Sequence, residues 1–273
     1  MHLLFTINEN YVSVLETCIR SILRFPCEGG YDLYILHDQL PEAVQQKLIQ
    51  NTAENARFHF ISVPDTAFSD FPQNTRYPKT MYYRLLAAEF LPETLDRVLY
   101  LDPDIIVIRP LEELYHMSFD GNLFCGATHV RKFLTRLNGA RLQMPEDAPY
   151  LNSGVLLINL EELRKRPCRQ DILAYIEKRQ AYFTLPDQDI LSALYGNETK
   201  LIDHLRYNLS DRMYFLHNAN FQNEKIDLDW VRQNTCIIHY CGKNKPWKEN
   251  YRGVLDCFYH EVLSLQLYEK LCP

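Results

Sequence analysis

The stretch Val98-Leu99-Tyr100-Leu101-Asp102-Pro103-Asp104 is a short apolar run that ends in two aspartates separated by a proline. A short apolar run of this kind predicts a buried strand. Carboxylates directly after such a strand would lie at the carboxyl edge of a sheet, where α/β folds bind their ligands. They suit Mg²⁺ or Mn²⁺, and such an ion can neutralise a diphosphate. Asp-x-Asp also occurs by chance as a solvated turn, so a metal site is only a hypothesis from this stretch.

Similar apolar runs alternate with helical patterns on both sides of this stretch, which is typical of βαβ units and a largely parallel sheet. The pattern predicts an α/β fold. No repeat, low-complexity tract or linker marks a boundary between two domains. The predicted strands are residues 3–6, 33–36, 58–61, 98–101, 105–108, 154–160 and 236–239, and the predicted helices are residues 11–24, 41–50, 81–90 and 163–178.

The composition of the 273 residues, 47% hydrophobic and 23% charged, is that of a folded globular protein. The net charge of -6 argues against general nucleic-acid binding, which needs a concentrated basic surface. The first residues lack the features of a signal peptide, and no apolar run approaches the ~20 residues that span a bilayer. Eight scattered cysteines do not resemble a disulfide scaffold. We therefore expect a soluble, cytoplasmic protein with reduced thiols.

A second polar segment, from His239 to Trp247, also follows directly after an apolar run and reads His-Tyr-Cys-Gly-Lys-Asn-Lys-Pro-Trp. An imidazole can complete a metal site, a glycine allows close backbone approach, and a lysine offers a point charge to phosphate. Taken alone, the segment fits a core histidine followed by a surface loop equally well.

Taken together, several segments resemble glycosyltransferase family 8, the retaining family that includes bacterial lipopolysaccharide galactosyltransferases and glycogenin. The matching segments occur in the order found in the family. They are residues 5–11, 82–85, 98–104, 151–160, 186–189 and 239–247.

The resemblance implies a GT-A type fold, with a mixed, mostly parallel sheet flanked by helices. It implies a GT-A catalytic domain over residues 1–250, and the remaining residues 251–273 are predicted to be a C-terminal helical extension on the same domain. It also implies a UDP-sugar donor and a divalent cation, Mn²⁺ or Mg²⁺. The implied metal ligands are Asp102, Asp104 and His239. The other implied donor contacts are Thr6, Asn8 and Asn10 at uridine, and Arg84, Pro103, Asn152, Ser153, Gly242 and Lys245 at the diphosphate and sugar.

Two features of this set leave alternatives open. Many family members have aspartate where this chain has Asn8, and Asn8 and Asn10 also suit a helix cap before Tyr11. Asp187 and Gln188 are implied to flank the reacting sugar as the catalytic residues. Retention of the anomeric configuration can arise through a covalent sugar intermediate or by attack on the face that the diphosphate leaves. Asp187 can serve either as a nucleophile or as a ligand of sugar hydroxyls.

The acceptor is expected to be a glycan, a glycolipid or a polymer. Residues 121–145 contain no acidic residue but include His129, Arg131, Lys132, Arg136 and Arg141. This suggests an anionic acceptor, with a solvated helix face as the alternative. The C-terminal residues are mixed in charge, which predicts at most peripheral membrane contact.

The sequence therefore predicts a hexosyltransferase that uses UDP-galactose or UDP-glucose. One alternative is a phosphohydrolase of the haloacid dehalogenase type, which also places Asp-x-Asp after a strand. That class needs a downstream acidic pair, and no convincing Gly-Asp-x-x-x-Asp pattern is present. The other alternative is a UDP-sugar-binding protein without turnover.

Overall fold

The computed structural model describes residues 1–52, 56–72, 78–130 and 132–271, without the side chains of residues 132 and 266–271. Within these ranges one seven-stranded sheet has the strand order β3-β2-β1-β4-β7-β6-β8, and β5 and β9 form a small second sheet. The strands are β1 (His2–Ile7), β2 (Tyr31–His37), β3 (Ala56–Ser62), β4 (Arg97–Leu101), β5 (Ile105–Val107), β6 (Phe124–Thr128), β7 (Leu151–Asn159), β8 (Thr199–Leu201) and β9 (Ile237–His239).

Helices cover the large sheet and connect its strands. Segments of 3-10 helix are Glu9–Tyr11, Asp65–Phe68, Lys79–Leu86, Gln180–Tyr182 and Gly196–Glu198. The α-helices are α1 (Val12–Leu23), α2 (Glu42–Thr52), α3 (Ala87–Phe90), α4 (Glu112–Tyr115), α5 (Lys132–Leu142), α6 (Leu160–Leu163), α7 (Cys168–Arg179), α8 (Pro186–Tyr195), α9 (His204–Tyr207), α10 (Asp211–Ala219), α11 (Leu228–Asn234) and α12 (Asp256–Leu271).

The large sheet is mixed and mostly parallel, as predicted. Strand β1 pairs in parallel with β2 and β4, and β2 with β3, whereas β7 runs antiparallel between β4 and β6. Helix α1 packs Leu15, Ile19 and Ile22 against one face, where each is at most 1% exposed. This spacing of four and three residues places the three side chains on one side of the helix, which is why the helical pattern was visible in the sequence.

Two predicted helices are wrong in detail. Residues 81–90 form a 3-10 helix followed by the single turn α3, because Tyr82, Tyr83 and Arg84 are all buried and tertiary packing overrides the helical pattern. Residues 163–178 are divided between α6 and α7 at Pro167, since a proline disfavours helical conformation in the residue before it.

The C-terminal helix α12 packs onto the small sheet. Phe258 and Val262 belong to the same buried cluster as Ile106 of β5 and Ile238 of β9. The division of the chain into residues 1–250 and 251–273 stays a prediction. Among the described helices, none combines the length and the apolar character that a bilayer span requires.

Candidate metal and nucleotide-sugar site

The two carboxylates after β4 and the distant histidine meet because β5 pairs with β9. In this antiparallel pair Ile105 lies opposite His239, and the amide of Tyr240 donates to the carbonyl of Asp104 at 3.0 Å. One ligand atom from each of Asp102, Asp104 and His239 lies within 4.8 Å of the others. The predicted metal ligands therefore come together at the carboxyl end of β4.

Gly154 makes this close approach possible. It lies in β7 beside β4, and its carbonyl accepts from the amide of Asp102 at 2.8 Å. A Cβ atom at Gly154 would lie 2.6 Å from Oδ2 of Asp102 and would also collide with the ring of His239. The sequence analysis missed this role, although a glycine inside a strand is a signal for close approach of another group.

Two cations compensate the carboxylates of Asp102, which is partly buried, and of Asp104, which is buried. Arg84 Nη1 lies 2.8 Å from Oδ1 of Asp102, and Lys245 Nζ contacts Oδ2 of Asp104. Burial raises the pKa of both carboxyls, but Arg84 and His239 hold the pKa of Asp102 below its usual value, and His239 and Lys245 do the same for Asp104. Both aspartates are thus carboxylates near neutral pH, which is the form that binds a cation.

Asn208 orients the histidine and was also missed by the sequence analysis. Its Nδ2 donates to Oδ1 of Asn152 at 2.9 Å, so its Oδ1 accepts from Nδ1 of His239 at 2.9 Å. The Nε2 atom of His239 then points at Asp104 and Asp102, at 3.3 and 3.5 Å. An imidazole held by its Nδ1 proton, with Nε2 directed at two carboxylates, has the donor chemistry that a divalent cation needs. The three residues therefore fit the cation that the sequence predicts.

Two cavities meet at these ligands. The smaller one, of about 170 Å³, is lined by Thr6, Asn8, Arg84, Asp102, Pro103 and Asp104 together with Tyr11 and Thr80. The larger one, of about 850 Å³, also contains Arg84, Asp102 and Asp104 and adds Asn152, Ser153, Asp187, Gln188, His239 and Gly242. Lys245 lines neither cavity, but it forms an ion pair with Asp104, which lines both.

Asn10, like Lys245, is a predicted contact that lines neither cavity. Its side chain is exposed, and its amide donates to Oδ1 of Asn8 at 3.1 Å. Asn8 caps the short helix Glu9–Tyr11 in this way and lines the smaller cavity as well. The capping and binding interpretations of Asn8 are therefore compatible.

A family model described as "Glycosyl transferase family 8" matches residues 2–251. The chain belongs to glycosyl transferase family 8. As a member of this family it uses a nucleotide-sugar donor, and its Asp-Asp-His cluster suits a divalent metal. Membership does not favour the phosphohydrolase alternative.

Similar proteins agree with this family. The lipopolysaccharide 1,2-glucosyltransferase of Escherichia coli K12 is 25% identical over 252 residues, which covers 90% of this chain and 72% of the relative. General stress protein A of Bacillus subtilis is 23% identical over 97% of this chain and 93% of its own length. The crystal structure of galactosyltransferase LgtC with donor and acceptor sugar analogs has a TM-score of 0.81 and 25% identity, covering 97% of this chain and 96% of that one. The seven-stranded sheet and this likeness confirm the predicted GT-A type fold.

In the Asp187-Gln188-Asp189 segment of this family 8 protein, the two aspartates make different contacts. Asp187 is 6% exposed, accepts from Oγ of Ser153 at 2.9 Å and lies 3.5 Å from Nε of Arg84. Burial raises the pKa of Asp187, although the charge of Arg84 opposes this. The side chain is thus directed at the same arginine that holds Asp102.

Asp189 holds the segment in place. It is fully buried and accepts from Arg141 at 2.8 and 3.0 Å, from the hydroxyl of Tyr150 at 2.7 Å and from the amide of Thr184 at 2.7 Å. Because these bonds fix the start of α8, Asp189 positions Asp187 and Gln188 without lining either cavity.

The basic residues predicted to attract an anionic acceptor are only partly available. Arg141 is bound to Asp189, and His129 is buried with its Nε2 2.6 Å from the carbonyl of Asn208. Burial lowers the pKa of His129 to about 3, so it is uncharged at neutral pH. Arg131 and the side chain of Lys132 lie outside the described residues, and Arg136 is exposed on α5.

Proposed function

We propose that this protein is a retaining hexosyltransferase that transfers galactose or glucose from a UDP-sugar to a glycan, glycolipid or polymer acceptor. The observation that carries the proposal is the meeting of Asp102, Asp104 and His239 where the two cavities join. A cation at this point would lie between a pocket for the nucleotide and a larger space for two sugars.

The relatives support both donor sugars. Similar proteins include glucosyltransferases of lipopolysaccharide, and a solved structure with a TM-score of 0.81 is that of a galactosyltransferase. The two sugars differ in the orientation of one hydroxyl group. We therefore propose a hexose donor of either kind and a carbohydrate or glycolipid acceptor.

We assign the smaller cavity to uridine and the adjoining carboxylates to the diphosphate. Thr6 and Asn8 line the cavity, and Asn10 acts through its bond to Asn8. Tyr100 donates to Oδ1 of Asp102 at 2.6 Å and lies 3.2 Å from Oγ1 of Thr6, so it joins the two parts of the donor site.

Mn²⁺ is the proposed cation, with Mg²⁺ as the substitute. Bound there, it supplies positive charge that compensates the departing nucleoside diphosphate. Arg84 and Lys245 add two further positive charges beside Asp102 and Asp104. Fixed cations in a water-poor site stabilise developing negative charge better than water does, because they need no reorganisation.

Asp187 and Gln188 are proposed to flank the reacting sugar. Both line the larger cavity, and Nδ2 of Asn152 lies 3.4 Å from Oε1 of Gln188. One solved structure of LgtC is described as an active-site mutant with glutamate in place of glutamine, which supports a role for an amide in such a site. Both retaining routes stay compatible with this arrangement.

We further propose that the protein acts in the cytoplasm, with at most peripheral membrane contact. The catalytic domain is assigned to residues 1–250, with residues 251–273 as its helical extension. The packing of α12 in one cluster with β5 and β9 supports treating the two parts as one unit.

The test is release of UDP from UDP-galactose and UDP-glucose with Mn²⁺. We expect release with at least one donor even without an acceptor, and we expect Asp104→Ala to abolish it. An unchanged rate in this variant would contradict the metal assignment. Tight UDP and Mn²⁺ binding without turnover would instead support a binding protein, and cleavage of a generic phosphate ester would support a phosphohydrolase.

A further inference from the structure

Among the described residues, four arginines line the larger cavity, and they differ in how their charge is compensated. Arg84 lies 2.8 Å from Asp102, and Arg141 lies 2.8 Å from Asp189. Arg212 and Arg252 also line the cavity, but neither forms an ion pair with a residue in the ranges 1–52, 56–72, 78–130 and 132–271. Two guanidinium groups are thus available in a cavity whose other arginines are occupied.

The aspartate next to Arg212 is satisfied by other groups. Asp211 accepts from the amides of Val254 and Leu255 at 2.8 and 3.3 Å, and the hydroxyl of Tyr251 also donates to it. These bonds attach the start of α10, which carries Arg212, to the loop that carries Arg252. The carboxylate therefore serves to join the two backbone segments.

The backbone at Arg252 is fixed while its side chain is exposed. Its amide donates to Oδ1 of Asn244 at 2.9 Å, and its carbonyl accepts from Nδ2 of the same residue at 2.7 Å. A Cβ atom at Gly253 would lie 2.5 Å from the Asp211 carboxylate, so the loop can pack here only with glycine. Such anchoring fixes the point on the cavity rim from which the Arg252 side chain extends.

The location of the two arginines separates them from the proposed uridine pocket. They line the larger cavity, which contains Asp187 and Gln188, and are absent from the lining of the smaller cavity with Thr6 and Asn8. An acceptor must enter through the larger cavity to reach a sugar held beside Asp187. The two charges therefore lie on the acceptor side.

We propose that Arg212 and Arg252 form a subsite for an anionic group, a phosphate or a carboxylate, carried by the acceptor sugar. The proposal rests on the proposed glycosyltransferase function. Guanidinium groups suit this task because they are always charged and form paired hydrogen bonds with phosphate and carboxylate oxygens. This assignment replaces Arg141 and His129 as the source of acceptor preference.

The experiment is calorimetric binding of acceptor sugars to the full chain in the presence of UDP and Mn²⁺. The probes are glucose, galactose and N-acetylglucosamine, their 6-phosphates, and glucuronic and galacturonic acids, so that phosphate and carboxylate are distinguished. We expect at least one anionic sugar to bind about 10–100-fold more tightly than its neutral form. The variant Arg212→Gln/Arg252→Gln should lose this preference, and Arg109→Gln, which removes an exposed arginine outside the cavity lining, should keep it.

Several results would overturn the subsite. They are equal binding of neutral and anionic sugars by the parent, a retained preference in the double variant, and loss of the preference in Arg136→Gln instead. A rise in the donor KM that matches the loss of acceptor binding would also overturn it, since the arginines would then serve the diphosphate. Failure to release UDP from either donor concerns the proposed function only, because the binding preference is measured without turnover.

Discussion

Aspartates lie beside basic groups at both ends of the large sheet, but the two clusters differ in what they can do. At the amino end, Asp32 of β2 lies 2.6 Å from Arg57 and 2.9 Å from His59, with His2 at 3.5 Å. At the carboxyl end, Asp102 pairs with Arg84 and Asp104 with Lys245. Both aspartates lie near His239 and border two cavities. Both clusters combine aspartate, a strong base and histidine.

The two clusters differ in the ratio of carboxylates to cations and in whether a ligand can reach the carboxylates. A single carboxylate at Asp32 has three basic neighbours, and its pKa is held below the usual value by the hydrogen bond from Arg57 against the effect of burial. Asp102 and Asp104 are two carboxylates that have three basic neighbours between them, Arg84, Lys245 and His239, and they lie where a ligand can reach them. Residue types alone thus do not identify a site, whereas convergent carboxylates on a cavity wall do.

The largest expected effect comes from Gly154→Ala. The added methyl group would collide with Asp102 and His239 and push the ligands apart, so we expect Mn²⁺ affinity to fall at least about 100-fold. Titration of Mn²⁺ with calorimetry measures this. Gly139→Ala is the matched control, because nothing lies within 4 Å of its added Cβ. Equal Mn²⁺ affinity in both variants would contradict the assignment of the metal site to the cluster at the carboxyl end of the sheet.

Asn208→Ala is expected to have the next largest effect. It removes the acceptor that orients Nδ1 of His239, and loss of such a partner weakens metal binding by about 10–100-fold. The measurement is again Mn²⁺ affinity, with thermal unfolding recorded to detect misfolding. A folded variant with parental affinity would show that β5–β9 pairing is enough to orient His239.

Asp32→Asn should affect stability and leave the metal site unchanged. We expect the free energy of unfolding at pH 7 to fall by about 1–2 kcal/mol, because a charged acceptor of three hydrogen bonds is lost. Urea unfolding measures this, and Mn²⁺ affinity is the control. A drop in Mn²⁺ affinity would mean that the two ends of the sheet are coupled.

The pH dependence of the stability difference between the parent and Asp32→Asn is a smaller effect, and its direction can be predicted. The folded-state pKa of Asp32 is lowered, so its stabilisation is present above the unfolded pKa of about 3.9 and is lost as the pH falls through the folded-state value. The stability difference between the parent and Asp32→Asn should shrink as the pH falls below about 4. A difference that grows below this pH would contradict the ion-pair interpretation.

The sequence by itself determined the fold class and indicated the candidate metal ligands. Buried strands such as β4 are continuous apolar runs, and the stripe of α1 repeats at helical spacing, so both are visible in a local window. Asp102 and Asp104 were recognisable because they follow a strand directly. His239 was recognisable from its place at the end of a strand and from the family resemblance.

Only the tertiary structure decided which polar groups meet and which are already occupied. Lys245 contacts Asp104, which is 141 residues away in the sequence, and Asn208 contacts Asn152, which is 56 residues away. No local pattern encodes such contacts, because they follow from strand pairing and loop packing. For the same reason the sequence did not show that Arg141 is bound to Asp189 while Arg212 and Arg252 have no ion-pair partner among the described residues.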